Sequence, residues 1–257
     1  MEKAIEKITE IKEKYGHFSG EQIKLIALIF MVIDHIGYRF INSNATCDIA
    51  CYRNLGEFFR ILGRISFPIF AFCVVEGFRH TSNTKKYAIR LLIAAIISEI
   101  PFDMMCYYDT KAFNGKYAWF VLADQNVMIT FLLAIIMLSV IEEYKLRKTS
   151  YYAYYEYVIV IVTCIVAYVV KCDYIYYGII LMWMYYKFAD DVKLCVIVMV
   201  VVFTLVGTPT AALSVIPIYL LYNGKRTNKL VDRKTALIHK YFFYAFYPVH
   251  LLLVAFL

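Results

Sequence analysis

Apolar runs long enough to cross a membrane recur along the whole of this chain, and they restrict the folds open to it. Hydrophobic residues make up 62% of the 257 residues, whereas charged residues make up only 18%. A soluble protein of this length has no core large enough to bury so much apolar surface. Because a transmembrane helix needs about 20 mostly apolar residues, the sequence predicts an all-α, polytopic bundle of transmembrane helices.

We expect about nine spans of about 20 residues each. Their predicted bounds are 23–41, 57–78, 85–106, 121–142, 153–171, 173–188, 191–206, 209–222 and 240–257. Together they form one transmembrane domain over residues 23–257. Residues 1–22 are predicted to form a separate arm, because they alternate acids and lysines and lack the apolar stretch of a signal peptide. The arm is expected to be an amphipathic helix at the membrane surface or in the cytosol, ended by Gly16 and Gly20.

The basic residues alternate between the predicted loops. The arm and every second loop are rich in lysine and arginine, whereas the intervening loops contain few. This pattern follows the positive-inside rule if the N-terminus is cytoplasmic and the C-terminus is outside. The net charge of +7 is then a consequence of topology, and we expect no nucleic-acid partner.

Two ionisable residues, Asp34 and His35, stand next to each other inside the first span. Each costs about 2.5–3.5 kcal/mol in hydrocarbon, so such residues usually have a function. A partly desolvated imidazole can act as a general base near neutral pH, and a nearby carboxylate can orient it. Lys24 precedes His35 by eleven residues, which places both side chains on one helix face about 16 Å apart. The alternative is a polar bridge that only holds the bundle together.

Further polar residues fall in the outer half of the predicted spans or near the midplane. They are Arg60, Arg64, Glu99, Asp103, Asn126, Asp173 and His250. Because buried charges need partners or water, we expect the two arginines to pair with these carboxylates or with Asp34, around a polar chamber open to the outside. For Arg60, Asp103, Asn126 and Asp173 an interfacial position is an equal alternative. For His250 the alternative is a hydrogen bond to a backbone carbonyl beside Pro248.

A basic mouth is predicted on the cytoplasmic side of this chamber. Its residues are Lys24, Arg79, Lys85, Lys86 and Arg90. Four cysteines fall on or near the predicted outer face, namely Cys47, Cys51, Cys106 and Cys172. They can form disulfides or stay free in an oxidising compartment. Cys47 and Cys51 are also spaced as a metal pair, but no further ligands follow at a zinc spacing, so we expect no metal.

The strings around these residues resemble the TraX family. They are QIKLIA and MVIDHIG between Gln22 and Gly37, LGRISFPIFAF and EGF between Leu62 and Phe78, ISEIPFD from Ile97 to Asp103, Asn126 to Thr130, and KYFFYAFYPVHL from Lys240 to Leu251. The family is named for a conjugal-transfer protein that N-acetylates pilin. It is similar in layout to the larger group of integral-membrane acyltransferases, in which a basic residue, ten intervening residues and a histidine stand in an early span. Lys24 and His35 match that spacing.

The resemblance implies an acetyltransferase that uses cytosolic acetyl-CoA and acetylates a hydroxyl or amine of an extracytoplasmic glycan, peptide or small molecule. It implies His35 as general base, Arg64 as the residue that stabilises the thioester oxyanion or binds the donor, and Asp34 and Glu99 as orienting carboxylates. The basic mouth, Lys24 included, is expected to bind the CoA phosphates. The acceptor is expected to contact Arg60, Asp103, Asn126 and His250.

The expected location is the bacterial plasma membrane. Membrane lipids and the acceptor are the expected partners, and a homodimer is the oligomer considered. Two other functions fit intramembrane charges. A transporter or channel is one, although the two symmetric halves with broken spans that often mark transporters are not visible. An assembly scaffold is the other, and it predicts that Asp34, His35 and Arg64 tolerate neutral polar replacements.

Overall fold

The computed structural model describes residues 16–110, 124–147, 151–189, 191–225 and 233–257. Within these ranges the chain is all-helical, with nine α-helices and no β-strand, which confirms the predicted fold class. The helices are α1 (Gly20–Asn42), α2 (Ala50–Gly63), α3 (Ser66–Arg79), α4 (Thr84–Tyr107), α5 (Val127–Leu146), α6 (Tyr152–Val170), α7 (Ile175–Lys187), α8 (Val192–Leu205) and α9 (Arg233–Ala255). Residues 1–15 of the predicted arm lie outside the described residues.

Four helical segments of the described chain are long and apolar enough to cross a membrane. They are Gly20–Asn42, Ala50–Arg79, Val127–Leu146 and Leu237–Ala255. Shorter apolar segments are Tyr154–Val170, Val192–Leu205 and Pro209–Leu221. The chain is therefore a helical membrane protein. The count of nine spans and the sidedness of the bundle stay predictions.

The first span begins at Gly20, which the sequence had suggested as the end of the arm. Ser19 caps this helix: its hydroxyl accepts the Gln22 N–H at 3.4 Å, and the Gln22 side chain accepts the Ser19 N–H at 2.9 Å. This reciprocal capping box satisfies amide groups that the first helical turn leaves without partners. Gly20 therefore belongs to α1.

The second span is broken into α2 and α3. Pro68 has no N–H and cannot bond to the carbonyl of Arg64, four residues earlier, and the helix is interrupted at Arg64 and Ile65. The break therefore falls where Pro68 leaves the Arg64 carbonyl without its helical donor. The helix also begins at Ala50, well before the predicted residue 57, so much of the expected outer loop is helical.

The predicted span 209–222 is not an α-helix. It consists of a 3-10 helix at Pro209–Ser214 followed by a π-helix at Ile216–Leu221. Pro217 removes the amide that would continue regular α-helical bonding, which accounts for the change of helix type. The remaining predicted spans fall on α-helices.

Helices α1 and α2 pack closely through three glycines. A Cβ on Gly37 would lie 2.7 Å from the Gly56 carbonyl oxygen, and one on Gly56 would lie 2.8 Å from the Gly37 carbonyl oxygen. A Cβ on Gly63 would overlap the Cα and Cβ atoms of Asp34. Small residues are what membrane helices use to approach closely, and this contact holds Asp34 against α2.

The Gly63→Ala variant is expected to lower the free energy of unfolding by about 1–3 kcal/mol, because the added methyl overpacks the contact between α1 and α2. Thermal unfolding of the purified protein in detergent measures it. The control is Gly77→Ala, whose methyl would lie 3.2 Å from its nearest neighbour, the hydroxyl of Tyr87. Equal unfolding midpoints for the two variants would contradict the close contact.

Candidate functional site

Two adjoining cavities lie at successive levels along α1. The first, named the His35 cavity, has a volume of about 680 Å³, and the second, named the Lys24 cavity, about 610 Å³. The polar side chains of the first include Asp34, His35, Arg60, Arg64, Asp124 and Asp173. Those of the second include Glu21, Lys24, Glu76, His80, Arg90 and His239. The predicted chamber and basic mouth thus correspond to two separate spaces.

One apolar wall separates the cavities. Phe70, Met128, Phe131 and Phe243 line both of them. The Lys24 ammonium lies 5.6 Å from the centre of the Phe243 ring, on the other side of this wall from His35. Lys24 and His35 therefore each face one cavity, as expected for two residues on one side of α1.

Asp34 is held by Arg60 across the contact between α1 and α2. The two side chains form an ion pair in which Arg60 Nη1 donates to Asp34 Oδ2, and the Asp34 side chain is only 9% exposed. The Arg60 guanidinium also lies over the Tyr38 ring, 5.3 Å from its centre. The prediction that an arginine pairs with Asp34 is confirmed. Asp34 uses this oxygen for Arg60, and its hydrogen-bond contacts do not include His35.

His35 contacts His250 instead of a carboxylate. His35 Nδ1 lies 2.8 Å from His250 Nε2, and the other ring nitrogen of His250, Nδ1, lies 2.9 Å from the Phe246 carbonyl oxygen. The two imidazole rings are nearly parallel, with centres 5.0 Å apart. His250 is 4% exposed and lies behind His35, which itself lines the cavity. The hydrogen bond to a backbone carbonyl that the sequence suggested for His250 is thus present, and His250 does not line the His35 cavity.

The segment that joins α6 to α7 forms part of the lining of the His35 cavity, and its backbone is strained. Lys171, Tyr174 and Ile175 all have positive φ angles, of 55°, 62° and 37°. Non-glycine residues held in this region often mark functional sites. Tyr174 stacks on Phe67 with ring centres 3.5 Å apart, and Arg64 faces the Tyr174 hydroxyl and the carboxylate of Asp173.

Asp173 belongs to the His35 cavity although the sequence favoured no role for it. It lines the cavity beside Arg64, its backbone N–H donates to Gln125 at 2.8 Å, and its carbonyl accepts the Thr130 hydroxyl. The sequence contained one sign of a site role for Asp173, which is a carboxylate at the junction of two predicted spans, at the same membrane level as Arg64. An interfacial position explained that signal equally well.

Three predicted site residues lie together outside both cavities. Glu99 accepts a hydrogen bond from the side chain of Asn126, which also donates to the Ala95 carbonyl at 3.0 Å. The Asn126 side-chain oxygen accepts the Met128 N–H at 3.0 Å and so caps α5. Asp103 is fully buried and lines neither cavity. This geometry ties α4 to α5, and it places Glu99 where it does not contact His35.

The predicted donor residues divide into two groups. Lys24 and Arg90 line the Lys24 cavity, and the buried Nε atom of Arg90 has no hydrogen-bond partner among the described residues. Arg79, Lys85 and Lys86 are exposed and do not line it. Arg79 instead lies 3.8 Å from Glu76, which His80 contacts at 3.0 Å.

The cysteines form no disulfide in the structure, since all seven are free thiols. Among the residues that the structure describes, no group of three or more His, Cys, Asp or Glu side chains is placed to hold a metal ion.

Comparison with known proteins places the chain in a family. A family model described as "TraX protein" matches residues 19–257. A relative from Dichelobacter nodosus, named "Probable fimbrial assembly protein FimC, serogroup H1", is 32% identical over 123 residues, which are 48% of this chain and 46% of the relative. The chain thus matches about half the length of this curated relative. No solved structure matches the chain.

Proposed function

Since the chain belongs to the TraX family, we propose that it is an integral-membrane acetyltransferase of the bacterial plasma membrane. It transfers an acetyl group from cytosolic acetyl-CoA to a hydroxyl or amine of an acceptor on the outer side. The carrying observation is the pair of adjoining cavities, one lined by Lys24 and Arg90 and the other by His35, on either side of a single apolar wall. A reaction between a donor and an acceptor from opposite sides of a membrane needs such an arrangement.

The Lys24 cavity suits the anionic donor. The CoA head group carries phosphates, which arginine and lysine bind through charge-assisted hydrogen bonds. Lys24 and Arg90 line this space, and Arg90 has a buried Nε–H with no partner among the described residues. A buried guanidinium N–H without a partner is costly, and a phosphate oxygen would satisfy it.

The His35 cavity suits the acetyl transfer. Acetyl-CoA supplies an acetyl thioester, whose C–S bond breaks as the acceptor oxygen or nitrogen forms the new C–O or C–N bond. His35 takes the proton that the acceptor loses, as a general base, and then gives it to the sulfur of CoA, which leaves as the thiol. Arg64 lines the same cavity and can donate to the negative oxygen that develops on the attacked carbonyl. Arg60 keeps Asp34 paired, so this carboxylate acts on the electrostatics of the site and not as the base.

The acceptor is proposed to be an extracytoplasmic glycan, peptide or small molecule. The matched relative is named as a fimbrial assembly protein, and a protein subunit of a surface appendage is therefore one acceptor to include in assays. Membrane lipids and, in a homodimer, a second copy of the chain are the other partners proposed.

The test of this function uses membranes from cells that express the chain, supplied with acetyl-CoA labelled in the acetyl group. We expect label in material on the outer side of right-side-out vesicles only when acetyl-CoA is present on the inner side. A transporter would instead move a solute in proteoliposomes without acetyl-CoA. Solute uptake together with no transfer of label would overturn the proposal.

The Arg90→Gln variant is expected to bind CoA about 10- to 150-fold more weakly, because a charge-assisted hydrogen bond contributes about 1.5–3 kcal/mol. Isothermal titration of the purified protein with CoA measures it. The matched control is Arg147→Gln, since Arg147 is 63% exposed and pairs with Glu143 on the surface of α5. Unchanged affinity in Arg90→Gln would remove the Lys24 cavity as the donor site.

A further inference from the structure

We propose that His250 is a positioning residue that fixes the tautomer of His35, so that Nε2 of His35 presents its lone pair to the His35 cavity. The assignment follows from the hydrogen-bond chain that runs from the Phe246 carbonyl through His250 to His35. The tautomer itself is argued from geometry alone. The use of this lone pair as a general base rests on the proposed function. The sequence had suggested a carboxylate for the orienting role and the acceptor as the contact of His250.

The direction of the chain is set at its backbone end. A carbonyl oxygen only accepts hydrogen bonds, so His250 Nδ1, 2.9 Å from the Phe246 oxygen, carries a proton and donates it. In a neutral imidazole one nitrogen is a donor and the other an acceptor. Nε2 of a neutral His250 therefore has a lone pair directed at His35.

The surroundings of His250 favour its neutral form. The residue is 4% exposed, and burying a cation costs several kcal/mol unless an anion is paired with it. The carboxylates that form ion pairs with histidines in the described chain contact His80 and His239. Asp34, the acid next to His35 in sequence, is paired with Arg60.

The tautomer of His35 follows. Its Nδ1 lies 2.8 Å from the lone pair on His250 Nε2, so Nδ1 of His35 carries the proton and donates. Nε2 of His35 is then the basic nitrogen, because the hydrogen bond of one ring nitrogen decides the state of the other. His35 lines the cavity and His250 does not, so the available lone pair belongs to the residue that an acceptor can reach.

Packing holds His250 in the orientation that this chain needs. Its ring lies between those of His35 and Phe246, at 13° to the first and 14° to the second. The neighbours Tyr247 and Leu251 on α9 are buried, at 2% and 0% exposure. A rigid acceptor behind the base keeps His35 from rotating, which is what a general base requires to stay within reach of one proton.

The tautomer can be observed without any turnover. The full chain is labelled with ¹⁵N in its five histidines, placed in lipid nanodiscs and studied by ¹⁵N NMR, with the signals assigned by comparison with His35→Gln and His250→Gln. We expect protonated Nδ1 and unprotonated Nε2 for both His35 and His250. A protonated Nε2 on His35, or an imidazolium on His250, would overturn the proposal.

Variants of His250 separate positioning from simple packing. In His250→Gln the side-chain oxygen reaches the place of Nε2 and can accept from His35, whereas the shorter side chain of His250→Asn cannot. We expect the Nδ1–H tautomer of His35 to persist in His250→Gln and to be lost in His250→Asn. The same tautomer in both variants would contradict the role, and CoA binding by each variant shows that it is folded.

Acetyl transfer adds a second readout. The kcat of His250→Asn is expected to fall about 10²-fold, the lower end of what general-base catalysis contributes, with recovery in His250→Gln and unchanged CoA affinity in both. The two proposals fail in different ways. A chain with the expected tautomers and no acetyl transfer refutes the enzyme and leaves the positioning intact. A chain that transfers acetyl groups with Nε2–H on His35 refutes the positioning alone.

Discussion

Replacing His35 with alanine is expected to lower acetyl transfer by about 10²–10⁴-fold, the range that general-base catalysis contributes. His35 is the imidazole that lines the larger cavity, and its position next to Arg64 places base and cation around one space. Because the donor is proposed to bind in the Lys24 cavity across the apolar wall, CoA affinity should stay close to that of the wild type. Transfer of labelled acetyl groups, measured together with CoA binding, tests both statements.

The design of this experiment must separate catalysis from folding. His35→Ala leaves Nε2 of His250 without its donor, which costs about 1–3 kcal/mol, so His35→Gln serves as a second variant that keeps a polar side chain. The matched control is His17→Gln, because His17 is exposed and lines neither cavity. Full transfer activity in His35→Gln would refute the role of the imidazole as the general base.

Replacing Arg60 with alanine is expected to destabilise the protein by about 3 kcal/mol. The Asp34 side chain is 9% exposed and Arg60 only 23%, so the variant leaves a buried carboxylate without its charged partner. Breaking such a pair costs about 3–5 kcal/mol, and the partial exposure of Arg60 to the cavity places the expected value at the lower end. Chemical or thermal unfolding in detergent measures the loss.

A double variant tests whether the unpaired charge is the cause. Arg60→Gln combined with Asp34→Asn replaces the ion pair by a neutral hydrogen-bonded pair and should recover most of the stability, with a coupling free energy of about 1–3 kcal/mol. The control is Arg53→Gln, since Arg53 and Glu57 form an exposed pair at 3.5 Å, and exposed pairs contribute about 0–1 kcal/mol. Equal losses at Arg53 and Arg60 would contradict the buried pair.

The relative placement of Lys24 and His35 could be derived from the sequence because it depends on one helix only. Helical periodicity places Lys24 and His35 on one side of α1 and sets their separation along the axis. The structure confirms that each lines a cavity on the same side. The cause of the break at Arg64 is equally local, since the break follows from a proline four residues later.

The partners of these residues could not be derived in the same way. Glu99 was expected to orient His35, yet α4 directs it to Asn126 at the start of α5. His250, more than two hundred residues from His35, contacts the His35 ring instead because α9 packs beside α1. Adjacent polar residues such as Asp34 and His35 point about 100° apart on a helix, so proximity in sequence gave no contact between them.

The apolar runs and the ionisable residues within them determined by themselves that this chain is a helical membrane protein with a polar interior, because hydrocarbon penalises a charge wherever the helix packs. The tertiary structure decided which charges share a cavity. It placed Phe70, Met128, Phe131 and Phe243 between the predicted chamber and the predicted basic mouth, and it added Asp173 to the chamber through a strained loop. The physical reason is that the position of a residue along its helix sets the depth of its side chain in the membrane. The neighbours of that side chain depend on the rotation of each helix about its axis, and only packing fixes that rotation.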